Sequence, residues 1–176
     1  MFRQMRRIKQ VLSEEESRNI LLRGTSGVLA VYGDDGYPYA VPLSYVYSSE
    51  NGDHIFFHSA RAGHKIDSIM RNSKVSFCVI DEDKVVPEEF TTYFRSVIVF
   101  GTASVITDDK EKLEALKALA ARYTPDDEAG RNEEAEKELK NLNMIRLDID
   151  HISGKEAIEF VRAKEKKQQE EEGRQQ

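Results

Sequence analysis

The chain has 176 residues, 39% apolar and 33% charged, enough for one domain with a substantial core and cramped for two. Its 32 acidic side chains against 26 basic ones give a formal charge of −6, which argues against nucleic acid or an anionic membrane as the main partner, since both demand a net basic face. The single cysteine, Cys78, cannot close an internal disulfide, and the basic start of the chain has no apolar run behind it; neither a signal peptide nor a membrane span is expected, and a reducing cytoplasm is the expected compartment.

Ser13 with Glu16 three residues on reads as a capping box, and Ile20, Leu21 and Leu22 follow before Gly24, which predicts a short helix over 13–23. Strand patterns over 27–32 and 37–47 flank Asp34-Asp35-Gly36, a hairpin turn in which Gly supplies the positive φ. In the second strand Pro42 cannot donate to a ladder, so it marks an edge, a bulge or a place where a ligand replaces the neighbouring strand. A turn at 48–53 leads to a strand over 54–59 and then to a helix with Ile66, Ile69 and Met70 on one face. Strands follow over 75–80 and 95–106, the second apolar on both faces at 97–100, as in a strand inside a barrel or at a subunit interface. Asp108 and Glu111 cap a helix bearing Leu113, Leu116, Ala120 and Tyr123; a polar helix over 131–141 and a last strand over 144–149 complete a domain expected to span 1–161. Residues 162–176 carry charge and Gln without a large apolar side chain, so a disordered tail or a frayed helix is expected there. The fold class is mainly β with peripheral helices (α+β), its antiparallel strands closing into a small barrel. So small a barrel is filled by its own side chains, and a sizeable cofactor has to lie against its outside, in a dimer seam.

The most informative segment is 56–72, where a strand end passes through small residues into a helix whose first turn carries His64 and Lys65. Free N–H groups and the helix dipole favour an anion at such a start, and cations there are unfavourable without one, so the construction is that of a phosphate site. None of the four histidines has a partner at metal-ligand spacing, and no structural metal is expected. His54 and His151 fall in turn-like contexts, whereas His58 ends an apolar strand just before the phosphate loop. The chain has neither the G-x-S-x-G elbow of a serine nucleophile nor the G-x-G-x-x-G fingerprint of a nicotinamide domain.

Three motifs occur in order: Asp35-Gly36-Tyr37-Pro38 with Val41-Pro42-Leu43, Phe57-His58-Ser59-Ala60 with Gly63-His64-Lys65, and Arg95-Ser96-Val97-Ile98-Val99-Phe100-Gly101. In this spacing they resemble the pyridoxamine 5′-phosphate oxidase-like FMN-binding split-barrel superfamily, and within it the nitroimidazole-resistance branch, over about residues 3–160. The resemblance implies an antiparallel split β-barrel and a homodimer with FMN bound in the interface. It implies that His64 and Lys65 hold the FMN phosphate, that Val41, Pro42 and Leu43 line the isoalloxazine ring through their backbone, and that His58 and Ser59 sit by the flavin's polar edge. Ser96 of the partner subunit would approach the ring. The implied activity is reduction of a small electron-poor substrate such as a 5-nitroimidazole, with His58 as the candidate catalytic residue and NAD(P)H or a separate reductase as electron donor. The chain departs from the oxidases in having Ser96 for an amide side chain and His64 for an Arg, and it lacks their C-terminal Arg-bearing segment, so pyridoxine phosphate is not its expected substrate. The alternative implied by the same fold is a non-catalytic flavin- or haem-binding protein, with His58 or His64 as iron ligand.

Overall fold

The computed structural model describes residues 1–173. Its strands are β1 (Ser26–Tyr32), β2 (Pro38–Ser44), β3 (Val46–Ser48), β4 (His54–Ala60), β5 (Lys74–Val86), β6 (Thr91–Val105) and β7 (Leu142–Glu156). All seven pair antiparallel in the order β2-β1-β5-β6-β7-β4-β3. The two edges of this sheet, β2 and β3, are joined by Tyr45 alone, so the sheet has to roll up until its edges meet. The single strand expected over 37–47 is thus two strands that pair with opposite ends of the sheet. Tyr45 makes that crossing fully buried, its amide donating to the Thr25 carbonyl at 3.2 Å and its hydroxyl to the Leu21 carbonyl at 2.8 Å. Burial raises the pKa of its phenol, so the hydroxyl stays a donor.

Period-2 alternation fills the barrel: Leu29, Ile55, Phe57, Phe77, Val97, Val99, Ile145 and Leu147 are all fully buried. Phe77 meets Tyr45 and Phe57 edge-on at centroid distances of 5.0 Å. Helix α1 (Glu14–Arg23) opens with the expected capping box and sends Ile20 and Leu21 into this core. Helix α2 (His64–Arg71) buries Ile66, Ser68 and Ile69, and that stripe rotates Met70 into solvent, away from the apolar face expected of it. Helices α3 (Asp109–Tyr123) and α4 (Glu128–Glu138) share a second, smaller core with Ile106 and Met144. Asp108 caps α3 alone, because the Glu111 carboxylate pairs with Arg146 at 2.6 Å instead of closing a box. Asp127 accepts from the Gly130 amide and starts α4 three residues before the expected boundary.

β7 continues past residue 149 to Glu156, pairing with β6 from Arg95 to Val105 with a bulge beside Phe100 and Gly101. His151 therefore lies in a strand and not in a turn, opposite Phe100, with its ring stacked on Phe2 at 4.5 Å. The segment expected to be a disordered tail or frayed helix is helical through Gly173: α5 (Ile158–Gly173) buries no residue, but Phe160 meets Tyr93 and lies under the Arg95 guanidinium, and Lys164 reaches Glu16 and the buried Glu156. The last three residues of that expected tail lie outside the described ones. No helix among the described residues is long and apolar enough to cross a membrane.

Candidate functional site

The crossing at Tyr45 leaves the barrel open along one seam. β3 pairs with β4 in the register Val46 to Phe56 and Ser48 to His54. Carried on, that register would set Ser44 against His58 and Pro42 against Ala60, but the chain has already turned away to pair with β1. β4 keeps only β7 as partner from His58 to Ala60, and β2 keeps only β1, so residues 41–44 and 58–60 each present one strand edge to the gap. Pro42, a residue with no N–H, sits exposed in the strand that ends the sheet, as the edge reading expects.

At the end of β4 the chain turns through Arg61, Ala62 and Gly63 into α2. Gly63 is the N-cap at φ +132°, a conformation few other residues adopt, and no side chain caps the helix. Its carbonyl accepts from the amides of Ile66 and Asp67, which leaves the N–H groups of His64 and Lys65 directed out of the helix start. Asn143 Nδ2 holds the loop by donating to the Arg61 carbonyl at 3.0 Å. Among the described residues, no carboxylate pairs with Lys65. Three buried side-chain atoms lack a hydrogen-bond partner among the described residues: His54 Nδ1, Arg146 Nε and Ser59 Oγ. The first two lie 2.8 and 3.0 Å from the Asp148 carboxylate, so Ser59 Oγ, in a residue only 4% exposed, is the one true orphan. An uncapped helix start with an ammonium that no carboxylate pairs, five residues after an unpaired buried hydroxyl, offers donors of the kind that a phosphoryl group takes.

The His64 ring lies flat on Tyr39 of β2 at 4.1 Å, with Nε2 3.5 Å from Asp34. Asp34 is also bound by Arg71 at 2.6 Å, which holds its carboxyl below the usual range. The imidazole thus fastens α2 to the β1–β2 turn, and what His64 turns toward an anion at the helix start is its backbone N–H. Residues 41–43 and 58–59 lie on the two strand edges that flank the seam, and His64 meets β2 at Tyr39. Ser96 does not: β5 and β1 stand between its strand and β2, and it shares the outer face of β6 with Ile98 and Phe100. Only a second copy of the chain can bring it to a seam.

His58 is exposed and, with Ser44, lines a cavity of about 560 Å³ whose far wall is α3 and α4. Neither Ser44 nor the helical wall is marked by the sequence motifs; the only signal for Ser44 is that it directly follows the Val41-Pro42-Leu43 run. Tyr39, which none of the cofactor-site motifs marks, is the platform for His64.

A seven-stranded antiparallel barrel open along a single seam is a split β-barrel. The chain matches the family profile described as pyridoxamine 5′-phosphate oxidase over residues 13–156, and it belongs to that family. No curated protein matches the sequence. Among solved structures, an FAD-binding protein from Mesorhizobium loti is 27% identical, with 84% of this chain and 97% of that chain covered and a TM-score of 0.61. An FAD and haem binding protein from Mycobacterium smegmatis is 26% identical, with 85% and 73% covered and a TM-score of 0.68. A candidate 5-nitroimidazole antibiotic resistance protein from Bacteroides thetaiotaomicron is 24% identical, with 82% and 85% covered and a TM-score of 0.67, and shares the fold.

Proposed function

We propose that this protein is an FMN-binding oxidoreductase, a homodimer that reduces a small electron-poor substrate such as a 5-nitroimidazole. The observation that carries the flavin reading is the uncapped start of α2, with the His64 and Lys65 amides free of partners, following the strand end that carries the orphaned Ser59 hydroxyl. Relatives 27% and 26% identical that are named for binding FAD support it. A single ammonium, a hydroxyl and the amides of one helix start suit one terminal phosphoryl group, which favours FMN. The nitroimidazole substrate rests on the likeness of the three sequence motifs.

In this reading Lys65, Ser59 and the amides of His64 and Lys65 hold the phosphate, and the open edge of Val41, Pro42 and Leu43 lies along the ring. The bound flavin supplies electron transfer to the acceptor. His58, at the cavity edge of the seam, hydrogen-bonds the acceptor and can deliver a proton to it. The dimer is supported by the outer face of β1, β5 and β6, where Val28, Ile80, Ile98 and Phe100 remain 38–65% exposed side by side. Burying that face against a second copy would carry Ser96 to the partner's seam. With no dinucleotide fingerprint in the chain, electrons come from a transient NAD(P)H visit or a separate reductase.

The test is an oxygen-free assay of FMN-loaded protein with NADPH and a 5-nitroimidazole, following loss of the nitro absorbance, beside His58→Ala. Turnover that the substitution depresses supports the reading. Silence with NADH, NADPH and chemically reduced flavin alike overturns the enzymatic part of it.

A further inference from the structure

We propose that the cavity between β4 and the α3–α4 pair is the acceptor pocket, and that it selects flat uncharged or cationic heterocycles against phosphorylated or carboxylated ones. This deepens the function proposed above and rests on it. The cavity, about 560 Å³, is of the size that holds a small ligand. Ser44 and His58 line it from the two strands that part at the seam, so a ring lying there would reach the seam along which the flavin is proposed to lie. The opposite wall is apolar, built from Leu116, Leu119 and Ala120 of α3, and Leu142 of β7 adds an apolar side chain beside β4.

Charge at the same cavity is uneven. Asp127, Glu134 and Glu138 are three carboxylates against the one guanidinium of Arg131. Arg131 is already engaged: Nη1 donates to the carbonyls of Pro125 at 2.9 Å and Thr124 at 3.2 Å, and Nη2 lies 4.0 Å from Glu128. Lys137, 3.3 Å from Glu134, offsets part of that residue's charge, and Asp127 is occupied in capping α4. The remaining field is negative and faces any anion that enters. The pocket thus offers no guanidinium fork for a phosphate, and it repels one, whereas an uncharged nitroheterocycle meets apolar walls with two hydrogen-bonding groups at the seam.

The test is direct binding, by calorimetry or saturation-transfer NMR, of metronidazole and of 4-nitrobenzoate to FMN-loaded and cofactor-free protein. The uncharged probe is expected to bind at least about tenfold more tightly than the anion. Ala120→Trp, which fills the cavity, should weaken metronidazole by more than about tenfold while FMN affinity and the circular dichroism spectrum stay unchanged. Glu134→Lys, at an exposed rim position, should narrow the preference at least about threefold and keeps the test open if the Trp variant does not fold. Equal affinities for the two probes, or metronidazole binding that ignores both substitutions, overturn the proposal. If FMN never binds but metronidazole still follows the cavity variants, the flavin reading fails and the pocket stands.

Discussion

Ser59→Ala should act with opposite signs on the empty and the loaded protein. The Ser59 hydroxyl is 96% buried without a partner, and an unsatisfied buried polar group costs about 1–3 kcal/mol. Alanine keeps the Cβ, removes only the orphaned oxygen and leaves a gap too small for water, so part of the gain is lost to poorer packing. A net stabilisation of about 1 kcal/mol follows for the cofactor-free protein, which in a domain of this size raises Tm by about 2–4 °C. In the loaded protein the same hydroxyl would donate to a phosphate oxygen, a bond to a charged group worth about 1.5–3 kcal/mol, so its loss should weaken FMN by roughly 10- to 150-fold. Urea unfolding of cofactor-free protein gives the first quantity and quenching of flavin fluorescence the second. A variant that is less stable when empty and binds FMN as before would show that the hydroxyl has a structural partner, and the argument from it would fall.

Lys65→Ala should weaken FMN by a similar 1.5–3 kcal/mol, read in the same titration, and an unchanged dissociation constant would remove Lys65 from the phosphate site. Tyr45→Phe strips the crossing residue of its bond to the Leu21 carbonyl and should lower stability by about 1–2 kcal/mol in urea unfolding; no change would mean that this bond does not hold the barrel's closure. Glu16 is held down to about 2, first by the hydrogen bond from Lys164 and then by the Ser13 amide. Its folded-state value lies below the ordinary 4.5, so this stabilisation is full above that ordinary value and is lost as pH falls toward 2. Both side chains are nearly half exposed, which limits the contribution to a few tenths of a kcal/mol up to about 1. Lys164→Ala should therefore lower the urea midpoint near neutral pH and much less so at about pH 3; an equal loss at both would assign the effect to helix packing.

The elements that the sequence predicts well are those whose signal is local. The capping box at Ser13, the turn at 34–36 with Asp35 and Gly36 both at positive φ, and the helix start at His64 are fixed by neighbours within a few residues. Elements decided by distant partners are read less well. Nothing in the alternation of 37–47 shows that Tyr45 changes sheet edge, because the reason, Leu21 and Thr25 on one side and Phe56 on the other, is long-range. β7 looks finished at Ile149 because Asp150, His151, Ser153 and Gly154 are poor strand formers, yet the long β6 beside it pairs His151 to Glu156 across the bulge at Asp150. The helix of the C-terminal segment comes from anchors at its root, Phe160 and Lys164, and not from apolar periodicity. At the site, the motifs mark the seam residues and the helix start, whereas the cavity wall on α3 and α4 is built by residues that look like any amphipathic helix pair.

The central claim is that the seam and the start of α2 hold FMN, and its most direct measurement is the visible spectrum of protein purified without added cofactor, followed by FMN titration and identification of the released chromophore. A flavin spectrum, release of FMN, and saturation near one FMN per chain, as two equivalent sites in a dimer require, are the predicted result. A Soret band, or a colourless protein that takes up no FMN, would contradict it.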